Sequence, residues 1–556
     1  MSSKRFLTFI HITAIIVFAI LKVGNIFMSL LGYIYNWQPN FNLVGLFPPL
    51  VGLLLLLFFI YYINVQQPRR GSAEWIDKEV SATGLTFFNR RYPLKHRDVA
   101  PLIIISLVFT GLAVFNLGDS NVVNVTSEIE IMMDTNSLSH GSTHMNNMYF
   151  DEIYFVRTAV EHIENINPYE ISHPPLGKEI ISLSILTFGM SPLGWRLLGA
   201  LFGVLMLVIM YIFIKNMFGR TTVAICGALL FGFDFMRFVQ TRMATIDTYA
   251  VTFILLAFFF MYRHVTTDPD ADFKKSLAPL ALSGLFFGLS FAVKWTGFYA
   301  GAGLLIIYII RLCQLNSYYS SHGKRNYDEY LSKTLLYSVL FFVIIPVFIY
   351  YLTYIPYGLA RGMRITDGML WSTDFFNLVW SNQVLMFRYH SQLVAEHPFS
   401  SQWWQWIINT HPILYVNGIV GDTRATFGAF GNPVIWWGGF LAMVVMAVRV
   451  FTHRDGKALF ILIGFLTQLL PWVAVTRILF AYHYFPSTLF LVLALAHVFN
   501  TIAERWKEKK LGKLMVYGYT AVAGVVFAIF YPSLSGMYMP TWYYSTFVKW
   551  FNTWPF

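Results

Sequence analysis

The chain has 556 residues, of which 56% are hydrophobic, 18% aromatic and only 12% charged. No soluble domain hides that much apolar surface, so the composition marks a membrane protein and excludes a soluble globular one. The formal net charge of +11 belongs to basic loops between apolar runs, which leaves a nucleic-acid partner little support.

A hydrocarbon core about 30 Å thick asks for roughly 20 apolar residues per helix. In chain order, spans are expected near Phe6–Met28, Leu43–Ile63, Val99–Leu117, Leu193–Ile214, Val223–Phe235, Met243–Tyr262 and Leu277–Val293. They continue near Phe298–Ile310, Leu335–Tyr354, Ile435–Val448, Ala458–Val475, Leu479–Val498 and Leu514–Phe530. The fold class is therefore an all-α polytopic membrane protein with about 13 transmembrane helices. So many apolar runs make a cleaved signal peptide the weaker reading of Phe6–Leu31. Two cysteines, Cys226 and Cys313, supply neither a disulfide framework nor a Cys-based metal site.

Lys and Arg are retained on the cytoplasmic side. Placing "QQPRRGSAEWIDKEVSATGLTFFNRRYPLKHRD", "RHVTTDPDADFKK", "RLCQLNSYYSSHGKRNYDEY", "RVFTHRDGK" and "ERWKEKKLGK" there gives strict alternation along the chain. The N-terminus is then cytoplasmic, the protein is a multi-pass plasma-membrane protein, and Gly118–Pro192 and Ile355–Val434 are two long external loops. The chain divides into a hairpin and basic loop over 1–98, a core over 99–355, the second loop over 356–434 and C-terminal helices over 435–556. No internal repeat is evident.

The first loop holds the most polar stretch, "FDEIYFVRTAVEHIENINPYEISHPPLGKEI". Asp151 and Glu152 open a segment with helical spacing, where adjacent side chains diverge by about 100°, so one carboxylate of the two can face a substrate. The pair equally suits a solvated helix start that complements the helix dipole, and spacing alone does not choose. His173-Pro174-Pro175 forces an extended entry into a new helix that carries Lys178. Lys178 suits either a snorkelling lysine at the interface or a fixed cation for a phosphate.

Arg196, Asp234, Arg237, Arg242 and Asp247 fall at external helix ends, where ionisable groups are paired or face a polar cavity. Arg242 and Asp247, five apart, point to a shared cavity rather than a same-helix pair, with structural ion pairing as the alternative. The second loop contributes Arg388, His390, His397, Trp403, Trp404 and Trp406. Its indoles suit an aromatic belt as well as a sugar platform. No motif supports a metal site.

"FDEIYF…NPYEISHPPLGKEI", "PLGWRLLGALFGVLML", "FDFMRFVQTRMATIDTY", "GLSFAVKWTG", "YHSQLVAEHPFSSQWWQW" and "RILFAYHYFPS", taken in order, resemble the protein O-mannosyltransferase family. The resemblance implies a GT-C glycosyltransferase fold and transfer of a sugar, mannose by analogy, from a polyprenyl-phosphate donor to Ser or Thr hydroxyls, with inversion and without a metal or other cofactor. It implies Asp151 as base with Glu152 beside it. His173, Lys178, Arg196 and Arg242 would face the lipid phosphate or sugar, and Asp247 would position. Arg388, His390, His397 and Trp404 are further candidates in the second loop. Ile355–Val434 is too short for the β-trefoil MIR domain of eukaryotic members, so the chain resembles the compact prokaryotic form, and the sequon Asn124-Val125-Thr126 reads as coincidental there. The partners implied are the lipid-linked sugar, an acceptor protein and the bilayer. The alternatives are a lipid or cell-wall glycopolymer acceptor and, from a different class, a transporter, which would carry its charges at mid-membrane.

Overall fold

The computed structural model describes residues 92–118, 144–322, 326–506 and 510–556. The spans expected at Phe6–Met28 and Leu43–Ile63, nearly all of the N-terminal hairpin with its basic loop, and the Asn124 sequon lie outside the described residues. Within them the chain is overwhelmingly helical, as its apolar runs require. The helices are α1 (Val99–Val114), α2 (Glu152–Glu164), α3 (Leu176–Phe188), α4 (Pro192–Phe218), α5 (Thr221–Gly232), α6 (Phe235–Gln240), α7 (Ile246–Val265), α8 (Phe273–Val293) and α9 (Gly297–His322). Next come α10 (Tyr327–Leu359), α11 (Thr373–Gln392) and α12 (Trp403–Ile408). A hairpin of β1 (Ile413–Val420) and β2 (Thr423–Ala429) leads to α13 (Pro433–His453), α14 (Gly456–Leu469), α15 (Phe485–Arg505), α16 (Lys510–Ser535) and β3 (Tyr538–Pro540).

Ten helices among the described residues are long and apolar enough to cross a membrane. The span expected at Val223–Phe235 forms α5, which has only 12 residues. It ends where the Asp234 carboxylate accepts from the Arg237 amide and starts α6 as a new helix. The segment Ala481–Arg505 is the centre of the bundle, 94% buried along its apolar window, whereas Tyr327–Leu359 is 11% buried and leaves most of its surface to lipid.

The second long loop departs from an all-helical reading. Its run "ILYVNGIV" pairs antiparallel with "TRATFGA", with a bulge between Leu414 and Val416, and β3 pairs antiparallel with β2, giving the order β1-β2-β3. The hairpin turns at Gly421, whose φ of +56° is open to glycine at no steric cost.

This architecture gathers side chains at one end of the bundle. α7 begins at Ile246 and α8, antiparallel and packed closely on it, finishes at Val293, so Asp247 and Lys294 come together from residues distant in sequence. Gly177 lets α3 press against the start of α7: a Cβ there would come within 2.5 Å of the Ile246 side chain.

Candidate active site

Phe150 stands just before α2 with φ at +54°. That conformation costs a bulky L-residue about 1–3 kcal/mol and persists only where packing over-determines it. The ring lies against His397, Tyr415, Phe480 and Tyr482, with centroids 5.2–6.2 Å apart. The reversal of the chain at Phe150 sends the two carboxylates that follow to different environments.

Glu152 is fully buried. Arg196 grips it side-on, Nε donating to Oε1 at 2.8 Å and Nη2 to Oε2 at 2.7 Å. The Ala244 amide donates to Oε1 at 2.8 Å. The remaining guanidinium protons go to the carbonyls of Leu117, Met145 and Asn147. The pair thus ties the first loop, the end of α1, α4 and the turn before α7 into one node. Removing either member leaves an uncompensated buried charge, a loss of about 3–5 kcal/mol.

Asp151 stands at the N-cap position of α2 without a side-chain cap hydrogen bond and is partly buried. Its carboxylate has no hydrogen-bond or ion-pair partner among the described residues. Burial pushes its pKa up to about 7, with Asp247 and Glu170 adding to the shift and Lys294 and Arg477 opposing it.

The segment between α2 and α3 is held by a second ion pair. The Lys178 ammonium, fully buried, donates to Glu170 Oε2 at 2.7 Å and to the carbonyls of Glu170 and His173 at 2.8 and 2.9 Å. Three protons have three good acceptors, and Lys178 turns inward to the loop. Burial opposes the Glu170 charge, but Lys178 and His173 hold its carboxyl well below the usual range. The other Glu170 oxygen lies 3.0 Å from His173 Nδ1, which must carry the proton because an ionised carboxylate only accepts. Burial lowers the His173 pKa, against the opposing pull of the Glu170 carboxylate. His390 from α11 accompanies it, ring to ring at 5.3 Å, with Nε2 2.8 Å from the Ser172 carbonyl.

Arg242 and Asp247 part company. Arg242 is fully buried and caps the C-terminal end of α1, donating to the carbonyls of Leu112 at 3.1 Å, Ala113 at 2.5 Å and Asn116 at 2.9 Å. Asp247 receives Lys294 Nζ on both oxygens, at 2.8 and 2.9 Å. The same ammonium sits 5.1 Å from the Tyr482 ring centroid. The donor-facing role expected for Lys178, Arg196 and Arg242 thus meets a physical obstacle, because each already satisfies buried protein acceptors.

A cation left open near Asp151 is Arg477. It has no hydrogen bond or ion pair among the described residues, is partly buried, and contributes to the field at Asp151. It lines a cavity of about 590 Å³ together with Glu396, His397, Gln402 and Thr476. In the second loop, His397 reaches the site through Phe150, and His390 through His173. Arg388 is exposed on α11 beside a groove of its own helix, and Trp404 is half-buried on α12. The buried indole there is Trp406, stacked on His483.

Sequence reasoning passed over Glu170, Lys294, Arg477 and Phe150 as site residues. For Lys294 a signal existed: it is a lone lysine immediately after the apolar run of α8, where an ionisable group needs a partner. No described group of three or more His, Cys, Asp or Glu is arranged to hold a metal ion.

Two family profiles match the chain: "Dolichyl-phosphate-mannose-protein mannosyltransferase" over residues 184–357 and "C-terminal four TMM region of protein-O-mannosyltransferase" over residues 375–554, together more than half its length. A polyprenol-phosphate-mannose–protein mannosyltransferase of Corynebacterium glutamicum is 25% identical over 469 residues, covering 73% of this chain and 88% of its relative. One from Mycobacterium tuberculosis is 24% identical over 452 residues, covering 70% and 83%. Among solved structures, a Saccharomyces cerevisiae protein O-mannosyltransferase complex bound to the sugar donor superposes with a TM-score of 0.69 at 13% identity, covering 84% of this chain and 94% of that one.

Proposed function

The chain belongs to the protein O-mannosyltransferase family and is a multi-pass membrane glycosyltransferase of the GT-C fold, and from that premise we propose that it moves a mannosyl group from a polyprenyl phosphate to Ser or Thr hydroxyls of proteins at the external face. The observation that carries the reading is Asp151, a partly buried carboxylate with no partner among the described residues and a pKa pushed up to about 7, in the field of Lys294 and Arg477.

In the step, the acceptor oxygen bonds to the anomeric carbon as the bond from that carbon to the phosphate oxygen breaks. The hydroxyl proton passes to Asp151, and the lipid phosphate leaves carrying one more negative charge than it had as a diester. A base with a pKa near the working pH serves the first event. A preorganised cation serves the second, and no general acid is needed because the departing phosphate is stable as an anion. Arg477 meets the phosphate in this reading, and Lys294, held by Asp247, adds its field from the bundle side. Glu152 with Arg196, and Glu170 with Lys178 and His173, fix the two walls between which Asp151 stands. A single displacement inverts the anomeric centre. The reaction needs no divalent metal, since cationic side chains take the role a metal would have.

The external location of the site is supported by its lying at the ends of the helices opposite the basic connections, such as "RHVTTDPDADFKK" between α7 and α8. The test is transfer by the purified protein from polyprenyl-phosphate-mannose to a Ser/Thr-rich peptide, followed by mass spectrometry of the product. Mannosylated peptide with the anomer opposite to that of the donor is the expected result. Transfer to a glycan or lipid acceptor with none to peptide would move the function to glycopolymer modification.

A further inference from the structure

Asp151 is flanked by two residues that are anchored in different ways. Glu152 is fastened by the Arg196 guanidinium and the Ala244 amide. On the other side Phe150, in the left-handed region, has its side chain held by aromatic rings. Its ring meets Phe480 edge-on at 5.2 Å, His397 edge-on at 5.4 Å, Tyr415 at 5.7 Å and Tyr482 at 6.2 Å. These four rings come from two places distant in sequence: His397 and, in β1, Tyr415 from the second loop, and Phe480 and Tyr482 from the turn before α15. Tyr415 is itself fixed, receiving a hydrogen bond from Gln240 Nε2 at 2.9 Å, and Tyr482 stacks on Phe480 and covers Lys294 Nζ.

A left-handed aromatic residue turns the chain sharply, and only surrounding packing holds such a turn in place. The turn has a geometric result: the residue after it carries an unpaired carboxylate while the next one is buried on an arginine. We propose that Phe150 is the positioning residue for Asp151, an aromatic latch that holds the base in register with the lysine under Tyr482. The inference rests on the reading of Asp151 as base. His397 also lines the Arg477 cavity, so the latch joins the wall of the cavity to the carboxylate. A misplacement of about 1 Å at a reacting group is enough to reduce a rate by about two orders of magnitude.

The test compares five full-length proteins in mannosyl transfer to peptide: wild type, Phe150→Leu, Asp151→Asn, the double variant, and Phe150→Tyr as the conservative control. Phe150→Leu is expected to lower kcat about 10–100-fold with donor KM changed less than about threefold. The acid limb of its pH profile is expected to move to lower pH, because a loosened base is better hydrated. Phe150→Tyr should keep most of the rate. In the Asp151→Asn background the same Phe150→Leu change should have almost no further effect, since there is no base left to position. An equal fold-loss with and without the Asp151 carboxylate would overturn the latch. Full activity in Asp151→Asn alone would instead overturn the base reading, so the two failures are distinguishable. If Phe150→Leu does not fold, His397→Ala removes one ring of the latch and is expected to show the same signature at about 3–10-fold, again absent in Asp151→Asn; a loss that persists there overturns the latch.

Discussion

Where α1 starts and α4 finishes, Asp98 is fully buried and accepts from Tyr211, Thr221 and the Lys95 amide at 2.7–2.9 Å, with the Lys215 ammonium at 3.1 Å. At the same end Asp455 takes Arg449 at 2.8 Å, His497 at 2.9 Å and the Ala458 amide at 3.1 Å. At the opposite end, Glu152, Glu170 and Asp247 are paired just as fully, but Asp151 and Arg477 have no partner among the described residues. Both ends carry buried charge, so burial alone does not distinguish structure from chemistry. Incomplete pairing narrows the choice: Asp151 and Arg477 are left open beside neighbours whose own pairs are complete, and so, among the described residues, is the Glu179 carboxylate on α3, which lacks a nearby cation other than Lys178.

The largest effect that probes this contrast is Glu152→Ala. It strands the Arg196 guanidinium in a dry site and is expected to lower stability by about 3–5 kcal/mol, seen as a fall in thermal midpoint and in yield of folded protein. A variant with unchanged melting would break the distinction between holding pairs and open groups. Arg477→Gln is expected to leave melting unchanged and raise the donor KM about 10–100-fold, the worth of one charge-assisted contact of about 1.5–3 kcal/mol. An unchanged KM would remove Arg477 from the phosphate.

The pH dependence gives a smaller effect with a defined sign. Asp151 must be ionised to take a proton, and its pKa is raised to about 7. The rate therefore rises with pH up to a plateau above about 7 and falls about tenfold per unit on the acid side. The anionic donor pushes the inflection higher in kcat than in kcat/KM, because a nearby phosphate disfavours the carboxylate charge. Asp151→Glu at unchanged pH dependence would assign the inflection elsewhere. The smallest effect is none: chelation by EDTA is expected to leave the rate within error of the untreated enzyme, and restoration by added Mg²⁺ or Mn²⁺ of a rate lost to EDTA would contradict that.

Much of the fold was legible because lipid imposes a single rule: apolar runs of sufficient length become helices. Each expected span within the described residues has its helix, and the exception in length, α5, turns on Asp234, whose capping role is visible only once Arg237 is seen to follow it in a new helix. The strands of the second loop were hidden because "ILYVNGIV" and "TRATFGA" are short, and sheet pairing is a long-range property that includes β3 from the far end of the chain. At the site, helical spacing already split the "DE" pair into one carboxylate that can face a substrate and one beside it, but it did not show what holds the second. Glu152 is structural through Arg196, 44 residues away, and no spacing rule pairs them. Lys178 read as a candidate phosphate cation because its partner, Glu170, sits in a non-helical segment where local pairing has no period. Phe150 offered no signal at all, since a left-handed phenylalanine is made by its surroundings rather than by its own preference.

The proposed division of labour is that Asp151, left open, performs the chemistry while the paired carboxylates hold the fold. It is tested most directly by measuring single-turnover mannosyl transfer and thermal midpoint side by side for Asp151→Asn and Asp98→Asn. Expected are a rate lowered by about 10²–10⁴-fold at unchanged melting for Asp151→Asn, and a lowered midpoint with a near-normal rate in the folded fraction for Asp98→Asn. Transfer at full rate by Asp151→Asn would contradict it.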